Sequence, residues 1–372
     1  MMDIKTKNVN NRFWMTQKQK LRPISKLILI FFIVISVRYM YFSDFIFHHS
    51  NRQTRCAEKV GTKVNIPRLF NVSEPDEFKE VPAYKYLNNT LTKDLYDAGF
   101  DIANPGLCPE SGSSLKLLII VLTARHHSDR RADIRRTYGH SFSLRRDVAK
   151  IFLLGRPEKP GENSDIASES ERYGDIVVGR FVDTFYNLTL KTTAALEWVS
   201  TYCSKVKYIF SADDDIFLNI PRILDLVELW GDQKRAIIGR SCRVGPSRNK
   251  KDRHYVSPEV YNLSYHPTYA LGQAGIFVTN DIVKELFERG LRTAYLNIND
   301  VFYFGFIASA IGATKAYHEP SFKWHNYTYW AGPEDKNKCS IQDHVSIWAP
   351  EAKRKLFLWN MTLTDRKFCT GG

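Results

Sequence analysis

The chain has no GxGxxG segment after the apolar run Leu115 to Leu122, no CxxC pair, no internal repeat and no low-complexity tract. The first absence excludes most. The turn that follows that run, Thr123-Ala124-Arg125-His126-His127, lacks the glycines that let a dinucleotide phosphate approach the backbone, which argues against a hydride-transfer enzyme. Acid is scarce at the start: before residue 27, Lys5, Lys7, Arg12, Lys18, Lys20, Arg22 and Lys26 stand against Asp3 alone. The rest of the formal net charge of +13 is dispersed, so no nucleic-acid partner is expected. With 372 residues, 44 % apolar and 13 % aromatic, the chain is not disordered and can bury one large domain or two ordinary ones.

After the basic tail comes the apolar run Leu27 to Val37, then Arg38, Tyr39, Met40, Tyr41 and Phe42; Ile24 to Phe42 makes nineteen residues. That is about the length that ~30 Å of hydrocarbon requires. Arg38, near one end, can snorkel to the headgroups beside Tyr39 and Tyr41. The basic region is long for a cleaved signal peptide and no small-x-small site follows, so an uncleaved anchor with its basic side cytoplasmic is expected. The expected layout is a cytoplasmic tail over 1–26, a signal-anchor helix over 27–43, a luminal stem over 44–113 without sustained periodicity, and a globular domain over 114–372. Cys56, Cys108, Cys203, Cys242, Cys339 and Cys369 all follow the anchor, and an even count in an oxidising compartment suggests disulfides, with no pairing assigned. The glycosylation sequons at Asn71, Asn88, Asn187, Asn262, Asn326 and Asn360 lie on the same side.

From Leu115 the pattern alternates. Leu115 to Leu122, Val148 to Leu154, Asp175 to Val178 and Val206 to Ala212 read as strands, with helices over Asp129 to Tyr138, Ser164 to Tyr173 and Thr189 to Tyr202 between them. Repeated β-α-β order predicts an α/β domain with a mostly parallel, Rossmann-like sheet. The last of these strands delivers Asp213-Asp214-Asp215 to the carboxyl edge, ahead of a helix begun near Pro221, where open α/β sheets bind ligands. Three adjacent like charges need a cation. Oxygen ligands suit Mn²⁺ or Mg²⁺, ions that share their shell with substrate phosphates. Taken alone, the triplet reads first as a solvated acidic turn, and it is the context that argues for a metal site.

Further segments carry a resemblance. Ile134-Arg135-Arg136-Thr137-Tyr138-Gly139, Phe152-Leu153-Leu154-Gly155, Glu171 to Ile176, Asn187 to Thr192, Asp213 to Phe217, His266 to Tyr269, Gly272-Gln273-Ala274-Gly275 and Asn299-Asp300-Val301 occur in the order found in β-1,3-galactosyltransferase-like enzymes, glycosyltransferase family 31. The GxAG segment is similar to that of fringe-like and core-1-type members. The resemblance spans about residues 115 to 350. It implies a GT-A fold, a UDP-sugar donor, Mn²⁺ (or Mg²⁺), a glycan acceptor, and inverting transfer of galactose or an N-acetylhexosamine to the 3-hydroxyl of a terminal sugar on a glycoprotein or glycolipid. A Golgi membrane location as a single-pass type II protein goes with it, and a homodimer is compatible with the chain.

By the same resemblance Asp215 is the expected metal ligand, Asp213 and Asp214 lie nearer the ribose and sugar hydroxyls, Asp300 is the catalytic base, and Gly272 and Gly275 lie beside the donor sugar. Arg135 and Lys191 are candidates for the diphosphate. Each has a plainer reading: Asp300 as a helix cap, Arg135 and Lys191 as ordinary helix residues, the glycines as turn formers. The loop Arg248 to His254 reads as exposed, and Trp324, Tyr327, Tyr329 and Trp330 as stacking or packing aromatics. Two departures stand out: Asn299 replaces an acidic residue, and Trp348 stands where relatives commonly carry a metal-binding histidine. An indole cannot ligate, so His344 is the expected substitute, with His325 and His318 as further candidates; failing these, water fills the position and metal affinity falls. A catalytically weak or inactive luminal protein that binds sugar or a partner on the same fold is the alternative function.

Overall fold

The computed structural model describes residues 55–56, 70–71, 90–140, 145–159, 165–317, 322–323 and 344–363. The apolar run over 27–43 lies outside them; among the described residues no helix is long and apolar enough to cross a membrane. The described residues, between 55 and 363, belong to one compact unit.

The centre of that unit is a nine-stranded sheet. Across it the strands run Phe70–Asn71, Thr314–Tyr317, Ala236–Gly239, Ile276–Thr279, Tyr208–Asp213, Leu117–Leu122, Val148–Arg156, Ile176–Val182 and Phe100–Ile102. Leu117–Leu122 is parallel to both its neighbours, as expected for a central strand built from a continuous apolar run. The sheet is mixed, however: Ile276–Thr279 runs antiparallel between Tyr208–Asp213 and Ala236–Gly239, and both edge strands are antiparallel to their neighbours. Apolar periodicity marks a strand but carries no direction, which the connections decide.

Helices cover both faces because each βα unit crosses back over the sheet. Ser128–Arg136, Ile166–Tyr173 and Leu188–Tyr202 follow the first three parallel strands. The helix Ile220–Trp230 carries Pro221 in its first turn, near where its start is predicted, with the Asn219 side chain accepting from the Arg222 N–H. Two buried clusters result, one on each side: Leu118, Ile120, Trp198 and Phe302 belong to one, Leu117, Ile119, Phe210 and Phe277 to the other. The alternation along Leu117 to Ile120 is the period-two signature of a strand.

The boundary expected between stem and domain at 113/114 falls inside the folded body. Phe100–Ile102 is an edge strand of the main sheet, Trp198 Nε1 donates to the Ala103 carbonyl at 2.6 Å, and a disulfide joins Cys108 to Cys203. The strand is three residues long and these partners lie 76 to 95 positions away, so no periodicity announces them. Cys242 is also disulfide-bonded, and its strand Ser241–Arg243 pairs with Arg55–Cys56, Cys56 opposite Cys242 in register.

Candidate functional site

The parallel register sets Asp213 opposite Leu122, so the acidic triplet and the turn after Leu122 emerge together at one carboxyl edge of the sheet. The three carboxylates have different surroundings. Asp214 is buried and saturated: Oδ2 accepts from Thr123 Oγ1 at 2.6 Å and lies 2.7 Å from His127 Nδ1, and Oδ1 accepts from Arg130 Nη1 at 2.8 Å. Burial alone would raise its pKa, but these donors hold it down at about 2. The expectation that Asp214 contacts ribose or sugar hydroxyls is therefore corrected, since its oxygens are given to the first βα turn and the helix behind it.

Asp213 receives no side-chain donor among the described residues. Burial, then the charges of Asp215, Asp300 and Asp214, push it up to about 8, against a smaller pull from Lys191. Asp215 is raised as well, by burial and by Asp214, while the Trp348 indole N–H pulls the other way. Trp348 Nε1 donates to Asp215 Oδ2 at 3.0 Å, and the Ala349 N–H donates to the Asp215 carbonyl at 2.7 Å. The strand Ser346–Trp348 pairs antiparallel with Ile216–Leu218, Trp348 opposite Ile216, and this ladder places the indole at the triplet.

That ladder removes His344 as the substitute ligand. Pairing continues to Asn219, whose N–H donates to the Val345 carbonyl at 2.9 Å, so His344 falls level with Ile220, on the order of 16 Å along the strand from Asp215. His318 and His325 lie outside the described residues, as do Trp324, Tyr327, Tyr329 and Trp330. Among the described residues no three His, Cys, Asp or Glu side chains converge on a metal position. The donor set still suits a hard divalent cation: two raised carboxylates, Asp213 and Asp215, lie together at the sheet edge, and such ions accept one or two carboxylates with water and phosphate completing the shell.

Asp300 is not a helix cap. The cap position of the short helix Asn299–Val301 is Ile298, and Asp300 Oδ2 instead accepts from the Gly272 N–H at 2.8 Å. Burial pushes Asp300 up to about 6, with that N–H pulling back. The glycines of the GxAG segment have separate reasons. A Cβ on Gly272 would lie 2.6 Å from Asp300 Oδ1, and one on Gly275 would lie 2.3 Å from Phe210 Cζ, at a φ of +84° besides. Close approach is expected at both from sequence; what approaches is a carboxylate and a ring. Directly after Asp300, Phe302–Ile307 winds as a π-helix, a form frequent near functional sites.

Arg135 and Lys191 are not free for a diphosphate. Arg135 grips Asp175 with two bonds, at 3.0 and 2.7 Å, and Glu169 with a third at 2.7 Å, its guanidinium lying over Tyr173. Lys191 is buried, 2.6 Å from Asp183 Oδ1, and donates to the Thr123 carbonyl at 2.9 Å. Lys191 is thus an internal strut of the turn that carries Thr123 and His127, while Arg135 ties its helix to Glu169 and Asp175. In the loop Arg248 to His254, Arg248 donates to the Val256 carbonyl at 2.7 Å and to that of Tyr261, while Lys250 and Lys251 are exposed.

Sequence reasoning passes over Thr123, His127, Arg130 and Lys355. The signal for Thr123 and His127 is the unusually polar βα turn itself, which draws attention in the sequence only by its missing glycines; Arg130 stands in the first turn of the helix that follows. Lys355 lies on the C-terminal helix Ala352–Leu363, fully buried. Among the sequons, Asn262 and Asn360 are exposed, whereas Asn187 Nδ2 donates to the Val182 carbonyl at 2.9 Å. Asn88 and Asn326, and the side chain of Asn71, lie outside the described residues.

The family described as Galactosyltransferase matches residues 129–319, just over half of the chain, and the chain belongs to that family. It is 34 % identical over 255 residues to human lactosylceramide 1,3-N-acetyl-beta-D-glucosaminyltransferase, covering 64 % of this chain and 66 % of that protein. It is 31 % identical over 220 residues to mouse beta-1,3-galactosyltransferase 1, covering 58 % and 66 %. A Xenopus tropicalis lactosylceramide enzyme of the same description as the human one is 32 % identical over 271 residues, covering 70 % and 65 %. The chain spans just under two thirds of the length of these relatives. A solved glycosyltransferase involved in glycosylation of the PBCV-1 major capsid overlaps 65 % of this chain and 98 % of that one at 10 % identity and a TM-score of 0.31, too distant a likeness to carry an argument.

Proposed function

We propose that this chain is an inverting β-1,3-hexosyltransferase that moves galactose or an N-acetylhexosamine from a UDP-sugar to the 3-hydroxyl of a terminal sugar on a glycoprotein or glycolipid. The observation that carries this is Asp300, a desolvated carboxylate held by a backbone N–H, within electrostatic reach of Asp213 at the sheet edge. Asp300 takes the proton of the acceptor hydroxyl. That oxygen forms a bond to the anomeric carbon as the bond to the diphosphate breaks, and UDP leaves with the electron pair. A divalent cation held by Asp215 and Asp213 would offset the charge that develops on the leaving diphosphate. The basic tail, apolar run and sequons support a single-pass type II protein of the Golgi membrane with the catalytic domain luminal.

Incubating the purified chain with Mn²⁺, a panel of UDP-sugars and galactose- or N-acetylhexosamine-terminated acceptors tests this. Transfer to a 3-hydroxyl is expected; folded protein that neither transfers nor hydrolyses any donor overturns it. UDP binding without transfer would favour the binding-protein reading that Asn299 and Trp348 suggest.

Gly272→Ala supplies a sharper check on the base. The new methyl must displace the Asp300 carboxylate, and a shift near 1 Å costs about 10²-fold in rate. Turnover is expected to fall on that scale while UDP affinity, measured by calorimetry, stays unchanged. An unaltered rate would place the base elsewhere.

A further inference from the structure

The C-terminal segment brings two side chains to the acidic triplet. One is Trp348, on Asp215. The other is Lys355, whose helix lies against Ser128–Arg136 and whose ammonium is sealed from solvent at 0 % exposure with no hydrogen-bond partner among the described residues. Its charged surroundings are Asp214, Asp133, Arg130 and Asp215, yet none of these carboxylates accepts from it. Asp214 already has three donors, Asp133 takes Arg136 and Asp215 takes Trp348. Enclosing an ammonium without an acceptor is strongly unfavourable. A methionine would fill the same space without that cost, so a charge kept at this position calls for an anionic partner beyond the side chains around it. What suits it is an anionic oxygen arriving beside Asp215.

We propose that Lys355 is a binding residue for the donor diphosphate, its ammonium donating to a phosphate oxygen of the nucleotide bound at Asp215. The proposal rests on the UDP-sugar reading above. Lysine binds phosphate as a point charge, and Arg130, turned toward Asp214, adds a second positive charge nearby. Because the ammonium is enclosed, the phosphate reaches it only if the C-terminal segment moves. The polar hold of that segment on Asp215 is one indole N–H and one backbone N–H.

The test compares the full chain with Lys355→Met and Lys355→Gln, titrated with UDP and with uridine in saturating Mn²⁺, alongside thermal melts. Both variants are expected to bind UDP at least tenfold more weakly and uridine unchanged. Lys355→Met is expected to melt no lower than wild type, because a buried unpaired charge has been removed. If Lys355→Met fails to fold, Lys355→Gln decides. Variants that bind UDP within twofold of wild type overturn this inference alone. Wild-type protein that binds no UDP overturns it together with the transferase reading.

Discussion

Asp300→Asn is expected to lower the rate of sugar transfer by about 10²- to 10⁴-fold, the range over which a positioned general base acts, and to leave UDP affinity within a few-fold. Asparagine matches the carboxylate in size, and its carbonyl can still accept from the Gly272 N–H that holds Asp300 at 2.8 Å. What disappears is basicity. Enclosure raises Asp300 to about 6, so the wild-type rate should climb with pH up to about 6, as the carboxylate loses its proton, and level off above. The asparagine variant should lose that limb. The same substitution relieves Asp213 of one repelling charge, so UDP affinity at neutral pH should not fall for want of a cation. A rate drop below tenfold, or an acid limb that persists in the variant, assigns proton removal to another group.

Asp214→Ala is expected to cost about 3–5 kcal/mol of folding stability, the scale for removing one partner of a buried charge pair, and to lower the melting temperature by roughly 10 °C. The alanine leaves Arg130, His127 and Thr123 facing a gap, with donors aimed at oxygens that are no longer there. Its neighbour should behave in the opposite sense. Asp213 has no side-chain donor to lose among the described residues and is held up at about 8 by burial and like charges, so Asp213→Asn in metal-free buffer at neutral pH should stabilise the fold. The pH dependences oppose one another too. Asp214, at about 2, lies below its unfolded value near 3.9, so its contribution is complete above that value and is lost as pH falls toward 2. Asp213 lies above its unfolded value, so metal-free protein loses stability as pH rises from about 4 to 8. Chemical denaturation of both variants across pH 2 to 8 checks this, and similar behaviour of the two would mean that the triplet is one shared acidic turn after all.

Much of the fold is legible in the sequence because its signals are local. The continuous run Leu117 to Leu122 is a central strand for the reason it looks like one, and Pro221 opens its helix because a missing N–H does no harm in a first turn. The antiparallel insertion of Ile276–Thr279 is not legible, since an apolar strand reads the same in either direction. Nor is the edge strand Phe100–Ile102, three residues long and paired with a segment more than seventy positions away.

The site divides along the same line. Sequence by itself determined that three carboxylates end a buried strand at a sheet edge, that Asp300 stands in a segment of its own, and that the glycines of Gly272–Gly275 admit something close. Tertiary structure alone decided what each charge is for. Arg135 and Lys191 are expected phosphate ligands because their types suit phosphate, yet Asp175, Glu169 and Asp183 reach them first. His344 is four positions from Trp348 in the chain, but an extended strand carries it to the far end of the ladder. Trp348 looks in the sequence like a lost ligand and is a donor to Asp215. Lys355 carries no signal there and is enclosed beside the triplet. Residue type states what a side chain can bind; only the fold, by setting which partners are within about 3 Å and which groups are shut off from water, determines what it does bind.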